Sequence, residues 1–279
     1  MATIAALLTV HNRKEKTLQC LRCLYKQLPI EGYKLDVYLT DDGCSDGTPE
    51  AIREEFPEVT IINGDGSFFW NRGMYAAWTK AEQTADYDYY LWLNDDTFLF
   101  VDAVSRLLSC SNNHDDEAII IGSSCSIMNN SIITYGGIKT KSGRVVEVKE
   151  EHQCDTFEGN IVLIPKFVYS KIGKNDNVFH HAVGDNDYGY RASEAGVKIY
   201  TGKGVYGTCE QHDKPAKWTD PNMSLRIRWK DYFSPYGSTY REYFIFRRRH
   251  FGLVSAYIKL VTSFIHMLMP SAYNKIIRK

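Results

Sequence analysis

The sequence predicts an α/β protein: a mainly parallel, doubly wound sheet flanked by helices, then an α+β half and a helical tail. Strand-like and helix-like segments alternate four times in the first hundred residues, the pattern of βα units. Three of the predicted strands end in polar or acidic turns, where open α/β sheets bind ligands. Hydrophobic content of 44% and charged content of 24% are those of a globular chain of 279 residues with a sizeable core.

Thr3–Val10 reads as a buried strand, closed by His11-Asn12-Arg13 and followed by a helix from Lys14 to Gln27. In Lys34–Thr40, Leu35, Val37 and Leu39 alternate onto one face of a second strand. The turn 41–47 leads to a helix with Thr48 as N-cap and Pro49 at its first position. Val59–Asn63 is the third strand, Arg72–Thr84 the third helix, and Tyr87–Asn94 the fourth strand. Further on, Ala118–Ser123 and Gly159–Ile164 read as strands, and Ile132–Val148 as a hairpin turning at Ser142-Gly143. A helix follows Pro165, and another runs from Asp185 to Ala195 with Gly196 as its stop. Lys198–Thr201 is strand-like, and Gly204–His212 reads as a loop.

The overall net charge of −1 hides an asymmetry. Residues 223–279 carry 11 basic and 2 acidic residues, net +9, which leaves net −10 on residues 1–222. An acidic body argues against a nucleic-acid binder; a basic tail suits an anionic surface such as a membrane. Phe251–Met269 is apolar except for Lys259 and His266 and follows Arg247-Arg248-Arg249. It reads as an interfacial amphipathic helix, with a membrane span or a helix packed on the protein's own core or a homodimer interface as alternatives. No secretory signal precedes Met1-Ala2-Thr3, and the seven cysteines are an odd number, so the expectation is a reducing cytosol with free thiols. Cys20 and Cys23, one turn apart, read as core thiols, since no second pair completes a zinc site.

The sharpest chemical signal is Tyr89-Tyr90-Leu91-Trp92-Leu93-Asn94-Asp95-Asp96-Thr97: an apolar strand delivering two adjacent carboxylates. Paired Asp oxygens suit Mg²⁺, which is usually held by one or two carboxylates plus substrate phosphates. For a lone Asp-Asp, an acidic turn capping the next helix is the ordinary alternative.

The motifs around it, in order, are Thr9-Val10-His11-Asn12-Arg13, LTDDGCSDGT (39–48), GDGSFFWNRGM (64–74), LNDDT (93–97), FEGNIVLIPKFVYSKIG (157–173) and GDNDYGYRASEAGVKI (184–199). Together they resemble family 2 glycosyltransferases of the GT-A fold over roughly residues 3–213, with the bacterial rhamnosyltransferase-like branch the most similar. The resemblance implies a GT-A domain over 1–221, with a nucleotide-binding half (1–100) and an acceptor half (101–221), and a basic amphipathic helical tail over 222–279.

The resemblance also implies roles. Thr9 with Asp41 or Asp42 would surround the donor's base and ribose, and Arg13 would approach the diphosphate. Asn71 and Gly73 match the family's Asn-x-Gly; Arg72 between them adds a diphosphate contact or faces solvent. Asp95 and Asp96 stand in the Asp-x-Asp motif, with Asn94 at its first position, so a two-carboxylate site would hold Mg²⁺ or Mn²⁺. Asp96 is the first choice as direct ligand, Asp95 contacts ribose or metal, and His212 adds a ligand or is a surface His. Asp185 would be the base that deprotonates the acceptor hydroxyl in an inverting transfer; the commoner Glu-Asp is here Gly184-Asp185. Asp187 is the reserve candidate, Arg191 would hold one of these carboxylates, and His180-His181 would contact acceptor or lie in an exposed loop. The loops Phe68–Trp70 and Thr156–Asn160 would set sugar specificity.

The implied function is transfer of a sugar, rhamnose or another deoxysugar, from a nucleotide-diphospho-sugar to a glycan or lipid-linked acceptor in bacterial polysaccharide synthesis. The expected place is the cytoplasmic face of the plasma membrane, as a peripheral protein. A non-catalytic nucleotide-sugar-binding scaffold and a sugar-1-phosphate nucleotidyltransferase are the alternatives. The latter normally carries a Gly-rich loop where this chain has His11-Asn12-Arg13-Lys14.

Overall fold

The computed structural model describes residues 1–140, 144–145, 148–211, 216–235 and 240–272. The strands are β1 (Ala2–Val10), β2 (Tyr33–Asp41), β3 (Thr60–Asn63), β4 (Tyr89–Leu93), β5 (Phe98–Leu99), β6 (Ala118–Cys125), β7 (Ile133–Tyr135), β8 (Gly137–Lys139), β9 (Arg144–Val145), β10 (His152–Cys154), β11 (Thr156–Phe157), β12 (Ile161–Pro165) and β13 (Lys198–Thr208). The helices are α1 (Lys14–Tyr25), α2 (Thr48–Glu55), α3 (Phe69–Thr84), α4 (Ala103–Asn113), α5 (Lys166–Ile172), α6 (Gly184–Glu194), α7 (Leu225–Tyr232) and α8 (Tyr240–Leu268).

Among the described residues the main sheet has ten strands, ordered β10-β13-β6-β12-β4-β1-β2-β3, with β5 beside β13 and β7 beside β6. Strands β3, β2, β1 and β4 run parallel, as do β6 and β13, while β12 lies antiparallel between β4 and β6. The expected α/β class, a mixed sheet of mostly parallel strands with flanking helices and a helical C-terminal segment, is what the chain forms. Strands buried on both faces read as continuous apolar runs. Along β1, Ile4, Ala6 and Leu8 belong to one core layer with residues of α1, α2 and α4, while Ala5 and Leu7 belong to the other with residues of α3 and α6. In β4 the same alternation sends Tyr90 and Trp92 into an aromatic layer with Trp70, Trp78, Phe157 and Tyr188, ring centroids 4.8–6.2 Å apart. This packing holds the end of β4, and therefore the residues after it, in a fixed place.

Several local expectations need correction. The N-cap of α2 is Gly47, with φ 79°, and Thr48 is the first helical residue. The Asp46 side chain takes over capping, accepting from the Thr48 amide at 3.1 Å and the Lys14 amide at 3.0 Å. Helix α3 starts at Phe69, three residues early. The stretch read as a loop from Gly204 continues β13 as far as Thr208, its glycines absorbed as irregularities in the pairing with β6. Of the proposed hairpin, β8 and β9 pair antiparallel, while the turn Ser142-Gly143 lies outside the described residues.

The chain divides into two compact units. The first is Met1–Asn177 with Asp185–Gln211; the second is Val178–Gly184 with the described residues after 211. In the second, Trp218, Tyr232 and Met267 form a small core joining α7 to α8. Helix α8 is not continuous: Gly252 takes φ 82°, ψ 166°, a conformation only glycine adopts readily. The helical stretch after the break, 253–268, is about 24 Å long at 1.5 Å per residue, short of the ~30 Å hydrocarbon core. By length and composition alone the whole of α8 reaches membrane-span dimensions; the break at Gly252 is what argues against a straight crossing. Its outer face is apolar, with Val254 74%, Ile258 60% and Tyr257 54% exposed.

Candidate active site

Strands β1, β2 and β4 end side by side, and their following loops are tied together. His11 Nδ1 lies 2.6 Å from the Asp42 carbonyl oxygen, and Asn12 Oδ1 accepts from the Ser45 amide at 2.7 Å. Asp42 is buried and accepts the amides of Gly66, Phe68 and Phe69 at 2.9, 3.1 and 2.8 Å. Its carboxylate thus shapes the 64–69 loop. Asp41 closes its own turn by accepting the Cys44 amide at 2.8 Å. Thr9 packs on Gly73: a Cβ there would fall 2.1 Å from Thr9 Oγ1, so only glycine lets α3 approach β1 this closely. Fully buried Asn71 donates to the Asp176 carbonyl at 2.8 Å, and Arg72 Nε donates to the Asn177 carbonyl at 2.9 Å. Arg72 thus ties the start of α3 to the neighbouring loop through its Nε.

Asp95 and Asp96 follow β4 and are only 6% and 7% exposed. Arg13 Nη1 reaches both, at 3.2 Å to Asp95 Oδ1 and 2.9 Å to Asp96 Oδ2. Thr17 Oγ1 also touches Asp95 Oδ2 at 3.4 Å. Burial pushes the Asp95 carboxyl up to about 7; Arg13 opposes this and the Asp96 charge reinforces it. Arg13 is held charged, its burial outweighed by Asp95 and Asp96. Two desolvated carboxylates with one guanidinium between them retain negative charge and present hard oxygen donors, a donor set that fits a divalent cation. His212 lies outside the described residues. Cys209 instead comes next to the pair, its Sγ 3.7 Å from Asp96 Oδ1. Burial and Asp96 push that thiol up to about 12.

Asn94, the residue in place of a first Asp, accepts from Trp70 Nε1 at 2.7 Å through its side chain, and its amide donates to the Asn160 carbonyl at 3.1 Å. This connects the metal-type pair to the loop before β12. There Gly159 donates its amide to Asp185 Oδ2 at 3.0 Å, and a Cβ on Gly159 would strike the Trp70 ring at 2.7 Å and press Asp185 Cβ at 3.2 Å. Asp185 Oδ1 accepts the Asn186 amide at 2.7 Å. The reserve candidate Asp187 is fully buried and ion-paired with Arg191 at 3.0 Å. Arg191 also donates to the Ile172 and Lys174 carbonyls, so it braces α6 against α5 and holds Asp187, not Asp185. In the second unit, His180 is paired with the buried Glu242 of α8.

Glu158 went unnoticed in the sequence although it sits in the FEGN motif. It is half-buried, its Oε2 accepts the Gly136 amide at 3.3 Å, and burial with the nearby Asp185 charge pushes its carboxyl up to about 7. A carboxyl whose folded value exceeds its unfolded one stabilises at low pH and loses that contribution as pH rises, here between about 4.5 and 7. Glu158→Gln is expected to stabilise the chain at pH 8 by about 1–2 kcal/mol and to flatten the fall in stability over that window. Urea unfolding at pH 5 and pH 8 measures it; equal effects at both would show that the Glu158 charge is not the cause.

The mixed, mostly parallel sheet thus places a buried carboxylate pair and an arginine beyond its strand ends, with Asp185 at the start of α6 tied to the loop before β12. The sequence profile described as glycosyl transferase family 2 matches residues 6–153, more than half the chain, and the protein belongs to that family. Solved structures agree on the fold. A mannosyltransferase, PcManGT from Pyrobaculum calidifontis in complex with GDP-Man and Mn²⁺, aligns over 97% of this chain and 73% of its own at 15% identity and TM-score 0.55. S. aureus TarS 1–349 aligns over 96% of this chain and 81% of its own at 10% identity and TM-score 0.56. TarS 1–349 in complex with UDP-GlcNAc aligns over 97% and 73% at 10% identity and TM-score 0.56. No curated protein sequence matches.

Proposed function

We propose that this glycosyltransferase is an inverting, metal-dependent enzyme that moves a sugar from a nucleotide-diphospho-sugar onto a hydroxyl of a glycan or lipid-linked acceptor. The observation that carries the reading is the buried Asp95–Asp96 pair, shared by Arg13 and linked through Asn94, Asn160 and Gly159 to Asp185. Asp95 and Asp96 are the residues that would hold Mg²⁺ or Mn²⁺, which supplies charge neutralisation for the leaving diphosphate. Arg13 serves the same diphosphate, and Thr9, Asp41 and the loop organised by Asp42 receive the base and ribose. Asn71, Arg72 and Gly73 set the α3 start and the 175–177 loop beside that site. Asp185 takes the acceptor's hydroxyl proton as its oxygen bonds to the anomeric carbon. The bond from that carbon to the diphosphate oxygen breaks on the opposite face, inverting the configuration. The neighbours' GDP-Man with Mn²⁺ and UDP-GlcNAc support a nucleotide-sugar donor and a divalent cation. A deoxysugar such as rhamnose, in bacterial polysaccharide assembly, is the donor class we favour from the motif pattern.

A thermal-shift screen of nucleotide-sugars with and without Mn²⁺ tests the reading. A donor that raises Tm only with the metal supports it, because ligands binding only the native state raise apparent stability. No shift with any donor would sink it.

The apolar outer face of α8, flanked by Arg247, Arg248 and Arg249, supports peripheral attachment to the anionic cytoplasmic face of a membrane. Tyr232, Phe233, Leu260, Val261 and Phe264 line an apolar groove in the same unit, suited to the acyl part of a lipid-linked acceptor. Flotation with vesicles containing anionic lipid is expected to carry the protein upward, and Val254→Glu/Ile258→Glu to leave it in the soluble fraction. Equal flotation of both proteins would remove α8 from the interface.

A further inference from the structure

A second cluster of ligand-type side chains lies away from the donor site, at the edge of the sheet where β6 and β13 begin. Cys110 and His114 are four residues apart on α4, so both face the same way one turn apart. Glu151 arrives from the segment before β10. One donor atom from each residue lies within 4.8 Å of the other two, and the imidazole Nε2 is already 3.1 Å from Glu151 Oε2.

The surroundings hold this arrangement in place. The His114 ring stacks on Tyr200 of β13, centroids 3.9 Å apart and planes within 7°. Cys110 is buried in the core, and its thiol, pushed up to about 12 by burial and by Glu151, faces that carboxylate. His114 is also the C-cap of α4, where terminal carbonyls favour positive charge. Arg106, one turn before Cys110 on α4, is turned to the Lys203 and Val205 carbonyls and the Tyr206 ring, 4.1 Å from its centroid. The histidine and glutamate are partly exposed, which leaves a water-accessible side.

We propose that Cys110, His114 and Glu151 form a zinc site. Thiolate sulfur, imidazole nitrogen and carboxylate oxygen are the donors zinc takes, and a water completes a tetrahedral set. On binding, the Zn–S bond forms and the thiol proton passes to solvent. The ion would cross-link the end of α4 to the segment leading into β10 and keep one coordination position open to water.

Co²⁺ titration of the reduced, metal-stripped full chain tests this. About one equivalent is expected to bind with a thiolate-to-cobalt charge-transfer band, and Zn²⁺ to displace it. Cys110→Ser should abolish the band, while Cys209→Ser, beside Asp96, should keep it. His114→Ala and Glu151→Gln, at partly exposed positions, should each weaken binding at least about tenfold, which keeps the test decisive if Cys110→Ser fails to fold. Absence of a thiolate band in the unaltered chain would overturn the proposal. So would a band lost in Cys209→Ser and retained in Cys110→Ser, or unchanged affinity in both partly exposed variants.

Discussion

Asp185→Asn is expected to lower the transfer rate by about 10²–10⁴-fold, the range that a positioned general base supplies. The asparagine keeps an acceptor for the Gly159 or Asn186 amide, so the loop before β12 stays near its place and Tm falls little. Donor binding, measured by the Mn²⁺-dependent thermal shift, should remain within a few-fold. Single-turnover transfer to an acceptor measures the effect. A rate within tenfold of the unaltered enzyme would show that Asp185 is not the base and turn attention to Glu158.

Asp96→Asn is expected to weaken the apparent Mn²⁺ affinity by at least about 100-fold, beyond the 10–100-fold typical of supporting residues, and transfer with it. Arg13 keeps its contact with Asp95 in this variant, so the fold persists. The readout is the metal concentration at half-maximal activity and at half-maximal thermal shift. If both are unchanged, Asp96 does not hold the metal and the donor side of the site must be redrawn. The double variant Asp95→Asn/Asp96→Asn should leave nucleotide-sugar binding insensitive to Mn²⁺ altogether.

The first hundred residues were readable in the sequence because their signals are local. The alternation of β1 and β4 sets both core layers, and Asp95 and Asp96 follow directly from the end of a buried strand. The misread cap at Thr48 is also local, but Asp46 won the capping hydrogen bond through its short side chain. What the sequence concealed depends on residues far apart in the chain. Glu158 acquires its raised carboxyl through burial and through Asp185, which folds beside it, and Cys209 reaches Asp96 only when the end of β13 comes back towards β4. Arg191 could serve either neighbouring carboxylate by spacing, and its α-helical face, together with the Ile172 and Lys174 carbonyls, selects Asp187.

By itself, then, the sequence determined the class of fold, the family and the strand-end carboxylates, since periodicity and short motifs act over a few residues. Tertiary structure alone decided which groups meet at the site, that Gly252 breaks the apolar C-terminal helix, and that Cys110, His114 and Glu151 converge. These depend on packing between distant segments, where burial and neighbouring charge, not residue type, set what each side chain can do.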